Sequence, residues 1–471
     1  MTSPPPEPGQ PGPGAPPPSP RTLLTAPVGH LALAMLVIEL LAGMQIYINQ
    51  TVLPLLASDL GARQHYGLIT AAAMVPTFLT MPLGGSMLVR WRADRLMSAL
   101  TAVLVAGAGL GALAPNVGLY VLGEILRGLA AGALATVTMG VMVVALPESW
   151  RRLLLATGSA MWVVSSLLGP VYAAGVAQAW SWRWALVGYV PLLVVARGVM
   201  ARQVRSLRVP DDDRRPPVLP ALAMAGGVAV IGAVPAASVW FWPVGAAGAV
   251  AVVWACARVF PVGVLRLAPG RPAALATLGW LCAAYFALDY LVSPAGHDVL
   301  GLGPAAIGWA LTMAGVCWSV VAMWCGAHPA REAGAYRLRT ALGGAGLTVG
   351  GAVVALALGS AVPWWGLHVG CALAGLGMGA THQDTVIRCL TAPSELGAPD
   401  DGIPATQAAT AVTIAGGAGG ATLGTLVTSF VAPTGAGVEA GRVVPVCAVL
   451  AVMLAATPLL ARRTEPGNLQ S

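Results

Sequence analysis

Long apolar runs fill the chain from Pro27 onward, and short polar or charged stretches separate them. Each run has roughly 18–25 residues, the length of an α-helix that crosses the hydrocarbon core of a bilayer. Helices satisfy every backbone polar group within one segment, so the pattern predicts an all-α polytopic membrane protein. The fourteen predicted transmembrane spans are 28–50, 66–89, 96–115, 118–146, 153–176, 183–201, 218–237, 240–258, 272–293, 305–325, 337–358, 362–388, 404–431 and 442–460.

The positions of the arginines test this number of spans. If the N-terminus is cytoplasmic, 21 of the 25 arginines lie on the inner side and only Arg63, Arg183 and Arg442 lie outside, while Arg127 falls within a span. An excess of positive charge in cytoplasmic loops is the usual topology signal of membrane proteins. One missed helix would scramble the alternation. The sequence therefore predicts a multi-pass protein of the plasma (inner) membrane with both termini in the cytoplasm.

Composition supports a lipid-embedded protein. Hydrophobic residues make up 57% of the chain and charged residues 9%, against about 45–50% and about 25% in soluble domains. This excludes a cytosolic enzyme, a disordered regulator and a secreted disulfide scaffold. The net charge of +7 comes from arginines in short loops, and these do not cluster on one helix with interleaved aromatics, so nucleic acid is not an expected partner. The seven cysteines lie in or beside apolar runs without a Cys-x-x-Cys pair, so neither a disulfide, a metal nor a cofactor is expected.

Hydropathy also divides the chain into five parts. Residues 1–24 are too rich in proline to bury a core, and we expect a disordered cytoplasmic tail. Residues 25–201 and 272–460 each hold six predicted spans. Residues 202–271 hold a cytoplasmic linker and two further spans, and 461–471 form a second cytoplasmic tail.

The most specific motif lies in segment 162–192. It contains Gly169-Pro170 and a Trp-Arg-Trp run at 182–184, and it resembles the fifth and sixth helices of the major facilitator superfamily, in particular its fourteen-span drug:proton antiporters. Ser165 departs from that pattern, which usually has glycine there. Proline bends a helix and glycine lets a partner helix approach, although an ordinary packing kink has the same composition. The resemblance implies a major facilitator fold, with two six-helix halves plus two inserted helices.

A second match lies in the fourth span, at Gly123-Glu-Ile-Leu-Arg-Gly128, where the family has Gly-Arg-x-x-Gln-Gly. Glu124 takes the arginine position and Arg127 the glutamine position. The two residues are one helical turn apart and are able to pair. Pairing would offset a cost of about 2.5–3.5 kcal/mol for each charge at the bilayer centre. Two interpretations stay open: a self-neutralising pair that holds spans 1 and 4 together, and a proton-coupling or substrate-orienting site.

A weaker match follows the second span. The family's loop there reads Gly-x-Leu-Ala-Asp-Arg-x-Gly-Arg-Arg, and in this chain Gly85 and Arg90 match while the aspartate position holds Val89. By resemblance, Arg90 is a candidate gating residue at the inner side.

Further polar residues occupy otherwise apolar spans. Glu39 is the only acid of span 1, and Gln45 and Asn49 follow it; Asp289 lies in span 9. A carboxyl group in the membrane is either a neutral hydrogen-bonded core group or faces a water-filled cavity where it can take up a proton. Asp289 either faces such a cavity or lies near the outer interface.

His382 and Asp384 close the twelfth span, where they form either a proton relay or surface charges at the inner mouth beside Arg388.

The resemblance implies transport by alternating access, in which inward protons exchange for an outward organic solute. We hypothesise that Glu39, Glu124 and Asp289 face one cavity and that at least one of them titrates. The expected solute is a small lipophilic or cationic organic compound, and the expected state is a monomer in the lipid bilayer. The sequence has no Gly-x-x-x-x-Gly-Lys-Ser/Thr loop for ATP. Proton-coupled import remains an alternative, followed by a non-transporting sensor and a lipid-modifying enzyme, although the short, weakly charged outer loops do not favour an enzyme.

Overall fold

The computed structural model describes residues 20–205, 218–330, 332–391 and 401–464. Helices make up nearly all of this part of the chain. They are α1 (Pro20–Thr25), α2 (Pro27–Asp59), α3 (Tyr66–Arg90), α4 (Ala93–Ala112), α5 (Val117–Ala145), α6 (Glu148–Ala179), α7 (Trp182–Val187), α8 (Val190–Gln203), α9 (Val218–Ala233), α10 (Phe241–Val259), α11 (Arg271–Asp298), α12 (Pro304–Ala327), α13 (Ala333–Leu358), α14 (Gly366–Leu390), α15 (Ala405–Val431), α16 (Ala440–Ala455) and α17 (Thr457–Ala461).

Each of the fourteen predicted spans coincides with a helix or a pair of helices, which confirms the all-α polytopic fold. Eleven segments of the described chain are long and apolar enough to cross a membrane. Span 183–201 differs from the prediction, because it divides into α7 and α8. Pro191 is the second residue of α8, where its missing N–H breaks no helical hydrogen bond, so it favours the start of a new helix. α9 has only 16 residues and is shorter than predicted.

Glycines allow the helices to approach closely, as expected where lipid provides no hydrophobic drive for association. A Cβ atom on Gly132 of α5 would overlap the backbone carbonyl of Thr77 in α3. A Cβ atom on Gly375 of α14 would likewise overlap the carbonyl of Ala314 in α12. These helix pairs therefore depend on residues without side chains at the contact.

The helix ends form two groups. At the end that we call terminal, the described chain begins and ends, and Gly270 N donates to Arg463 O at 3.0 Å. At the opposite, distal end, Arg183 Nη2 donates to Ala114 O at 3.1 Å. The predicted topology places the distal end outside the cell.

The helices form two halves, α2–α8 and α11–α17. They meet along four helix pairs, α2 with α11, α2 with α12, α3 with α15 and α6 with α12. α9 packs against both α3 and α15, which belong to different halves, and α10 packs against α9 and α15. The two inserted helices therefore contact both halves rather than extending one of them.

Polar contacts join the two halves at their distal ends. The Tyr66 hydroxyl, at the start of α3, donates to Asp298 Oδ2 at 3.1 Å, and Arg63 Nη1 lies 3.8 Å from Asp298 Oδ1. Further along the interface, a Cβ atom on Gly308 of α12 would lie 3.3 Å from Pro170 Cβ of α6. The conformation thus brings the distal parts of the halves into direct contact.

Candidate proton-coupling and substrate site

A buried hydrogen-bond network surrounds Glu124 and Arg127 of α5, which are each 1% exposed. Arg127 Nη1 donates to Glu124 Oε1, so the predicted pair forms within the helix. Asn49 Nδ2 of α2 donates to Glu124 Oε2 at 3.2 Å, and Arg127 Nη2 donates to the Tyr189 hydroxyl at 3.0 Å. That hydroxyl donates to Gln45 Oε1 at 3.0 Å. We call these five residues the α5 network; it ties α2 and α5 to the start of α8.

A second polar site, the α11 site, crosses between the halves. Gln50 Nε2 of α2 donates to Asp289 Oδ2 of α11 at 2.7 Å. Ser293 Oγ, one helical turn after Asp289, donates to the backbone carbonyl of Gln50 at 2.5 Å. A small void borders the carboxylate and is lined by Tyr285, Cys371 and aliphatic side chains of α11–α14. Asp289 therefore lies between the first half and the interior of the second.

Helix α2 connects the two sites through adjacent residues. Gln45 and Asn49 are four residues apart, so they share the face of α2 that looks toward α5. Gln50 is rotated by about 100° from Asn49 in a helix of 3.6 residues per turn, and it reaches α11 instead. Movement of α2 against either neighbour therefore changes the environment of a carboxylate.

Glu39 has different surroundings. It lies in the terminal half of α2, its residue is exposed, and it accepts a hydrogen bond from Trp162 Nε1 of α6 at 3.0 Å. Arg197 of α8 is close enough to interact with it electrostatically. Arg197, expected at the inner end of its span, is 8% exposed and donates to Thr138 Oγ1 at 2.8 Å. The three predicted carboxylates thus have different neighbours, and their single shared cavity stays a prediction.

The Gly169-Pro170 pair lies where three helices meet. A Cβ atom on Gly169 would come within 2.8 Å of Tyr47 Cβ in α2, while Pro170 faces Gly308 of α12. Ser165, the departure from the family motif, donates from its hydroxyl to the backbone of α2 at 2.8 Å. The motif therefore brings α6 into close contact with α2 of its own half and with α12 of the other half.

The remaining predicted residues lie toward the terminal end. Arg90 is exposed at the end of α3. The His382 ring packs edge-on against Trp318, with ring centroids 5.4 Å apart. Asp384 is buried and accepts from Arg339 Nη1 at 3.0 Å and from a backbone N–H at 3.1 Å. His382 and Asp384 thus contact different groups, and the relay between them stays a prediction.

Sequence reasoning did not single out Tyr189, Trp162 or the buried position of Arg197. A tyrosine or tryptophan in an apolar run is equally typical of a membrane interface. The one available signal for Tyr189 is its place immediately before Val190-Pro191, the start of α8.

Similarity to known proteins places the chain in a family and shows several of its relatives. Residues 35–424 match the model described as the Major Facilitator Superfamily. The chain belongs to this superfamily. Its relatives include a fatty acid resistance protein of Neisseria gonorrhoeae, 26% identical over 35% of this chain and 34% of its own length. A multidrug efflux pump of Staphylococcus aureus is 21% identical over 35% and 37% of the two chains. A probable multidrug-efflux transporter of Mycobacterium tuberculosis is 30% identical over 33% and 32%. The alignments thus span about a third of these relatives.

Superfamily membership points to a transporter rather than an enzyme. It is also consistent with the all-helical, multi-pass architecture.

Proposed function

We propose that this protein is a proton-coupled antiporter that exports a small lipophilic or cationic organic compound. It would belong to the fourteen-span drug:proton antiporters and would work as a monomer in the plasma membrane, with both termini in the cytoplasm. The efflux activities in the names of its relatives support export, and the arginine distribution supports this orientation.

The observation that carries the proposal is the Asp289 carboxylate at the interface between the halves. Among the described residues its hydrogen-bond donor is a neutral amide, Gln50 Nε2, whereas Glu124 has Arg127 as its counter-charge. Protonation of Asp289 therefore breaks no ion pair. Asp289 is therefore the group to which we assign the transported proton. The α5 network holds α2 in position.

Proton entry supplies enough free energy for useful export. One charge moving down 100 mV releases about 2.3 kcal/mol. At about 1.4 kcal/mol per tenfold change in concentration, this sustains a gradient of roughly fortyfold for an uncharged solute. Exchange of one proton for a monovalent cation moves no net charge, so the pH difference across the membrane drives that exchange.

Transport in inverted membrane vesicles tests this function. We expect an imposed proton gradient to drive uptake of a test compound such as ethidium or oleate, and a protonophore to abolish it. The compound should first be chosen by screening for molecules that become more toxic when the gene is deleted. Wild-type vesicles that accumulate such a compound without dissipating the proton gradient would refute proton coupling.

Replacing each of the three carboxylates by its neutral amide identifies the residue that carries the proton. Asp289→Asn should abolish gradient-driven uptake while leaving the protein in the membrane. Glu39→Gln and Glu124→Gln separate the other two carboxylates, and normal proton-coupled transport in all three variants would overturn the carboxylate mechanism. Gln203→Met is a matched control, since Gln203 is exposed at the end of α8.

A further inference from the structure

We propose that Gln50 locks the empty transporter closed at its distal end by binding the ionised carboxylate of Asp289. A proton or a cationic solute on Asp289 releases this lock. The inference rests on the proposed function, in which Asp289 is the site of exchange. It assigns Gln50 as a positioning residue that prevents the unloaded transporter from changing state.

The geometry makes Gln50 a contact held at two points. Its side-chain amide donates to Asp289 Oδ2 at 2.7 Å, and its backbone carbonyl accepts from Ser293 Oγ at 2.5 Å. Ser293 is 2% exposed. Both contacts join α2 of the first half to α11 of the second, so separation of the distal halves must break them.

The amide is suited to detect charge on the carboxylate. Gln50 Oε1 is buried and has no hydrogen-bond partner, so the cost of burying this amide is offset through its N–H group alone. A hydrogen bond to an ionised acceptor is roughly twice as strong as one between neutral groups. Loss of the negative charge on Asp289 therefore weakens the contact between the halves.

No cation competes with Gln50 at this carboxylate among the residues that the structure describes. The titratable groups that face Asp289 are the hydroxyls of Tyr47, Tyr285 and Tyr290 and the thiol of Cys371. All four are neutral in their ordinary state near pH 7. A proton that neutralises this carboxylate, or an N–H group of a bound cation that donates to it, would consequently compete with the Gln50 amide.

This arrangement supplies what an antiporter requires. If only the proton-loaded and solute-loaded forms can change state, the two movements are coupled. If the empty form also changes state, protons leak inward without any solute. The lock at Gln50 would suppress that leak.

A proton-leak assay without any solute tests the lock. Proteoliposomes containing the dye pyranine are given a potassium diffusion potential, and acidification of the interior is recorded. We expect Gln50→Leu to raise the leak roughly tenfold over the wild type, which corresponds to about 1.4 kcal/mol of lost stabilisation. The double variant Gln50→Leu/Asp289→Asn should return to the wild-type rate, because Asp289 carries the leaking proton. Gln203→Leu, at an exposed glutamine, should match the wild type.

Electron paramagnetic resonance gives a second readout. Spin labels replace Leu113 and Trp364, which are exposed in distal loops of opposite halves, in a cysteine-free background. We expect the wild type to show the short distance at high pH and a longer one at low pH. Gln50→Leu should populate the long distance at both. Since His297 Nδ1 and Asp298 Oδ1 lie 2.9 Å apart at the same end, the pH response must disappear in Asp289→Asn to be assigned to the lock.

The outcomes separate the two proposals. A wild type that exchanges solute for protons, together with a Gln50→Leu variant that neither leaks nor opens, would overturn the lock and leave the proposed function intact. A Gln50→Leu leak that persists in the double variant would also overturn the lock. A wild type without proton-coupled exchange would instead refute the proposed function.

Discussion

Replacement of Arg127 by methionine should destabilise this protein more than simultaneous replacement of Arg127 and Glu124. In the single variant, the Glu124 carboxylate stays in the α5 network without its guanidinium partner. Both side chains are almost fully buried, at 1% and 2% exposure, so water cannot solvate the remaining charge.

The expected magnitudes follow from this burial. Removing one partner of a buried ion pair costs about 3–5 kcal/mol. The double variant Arg127→Met/Glu124→Gln carries no charge, and its glutamine oxygen still accepts from Asn49. Beyond the ion pair itself, it loses the hydrogen bond from the Arg127 guanidinium to the Tyr189 hydroxyl, worth about 1.5–3 kcal/mol. The double-mutant cycle should therefore show a favourable coupling between the two residues of at least about 1 kcal/mol.

Thermal unfolding of the purified protein in detergent, followed by tryptophan fluorescence, measures this difference. Arg202→Met is the control, because Arg202 is exposed at the end of α8 and its loss should change stability by less than about 0.5 kcal/mol. If Arg127→Met and the double variant unfold at the same temperature, the pair does not stabilise the network, and the reasoning is refuted.

Three further predictions follow from other contacts. Gly315→Val in α12 should lower the free energy of unfolding by about 1–3 kcal/mol and slow transport in the vesicle assay, because a Cβ atom there overlaps side chains of α2 and α6. Gly416 has no neighbouring atom near its Cβ position, so Gly416→Ala should match the wild type in that assay. Tyr189→Phe removes one hydroxyl that makes two hydrogen bonds and should lower the free energy of unfolding by about 1–3 kcal/mol. Hydrogen bonds from Arg271 hold the pKa of Asp401 below its ordinary value of 3.8, so this pair stabilises the fold above that pH. Asp401→Asn should unfold below the wild-type temperature at pH 7, and the difference should narrow as the pH falls below 3.8; an unchanged difference would contradict the assignment.

Much of the fold is predictable because the bilayer imposes strong rules on the sequence. Apolar length located the helices, but the structure divides two predicted spans, 183–201 just before Pro191 and 442–460 just before Pro458. The pairing of Glu124 with Arg127 was also predictable, since three residues of separation place two side chains on one helix face.

The sites required the packing of distant segments. Helical periodicity states that Asn49 and Gln50 point in different directions, but it does not state which helix lies in each direction. That Asn49 meets Glu124 and Gln50 meets Asp289 depends on where α5 and α11 dock against α2. Likewise, nothing in the apolar run around Arg197 indicates that Thr138 accepts its hydrogen bond.

The sequence by itself therefore determined the position and approximate extent of the membrane spans, because each helix satisfies its own backbone in lipid whatever its neighbours are. Only the tertiary structure decided that Asn49 donates to Glu124 and that Asp289 is bound by a neutral amide of the opposite half. Such contacts join residues 75 and 239 positions apart in the chain, and their geometry depends on how closely glycine and serine positions allow the helices to approach.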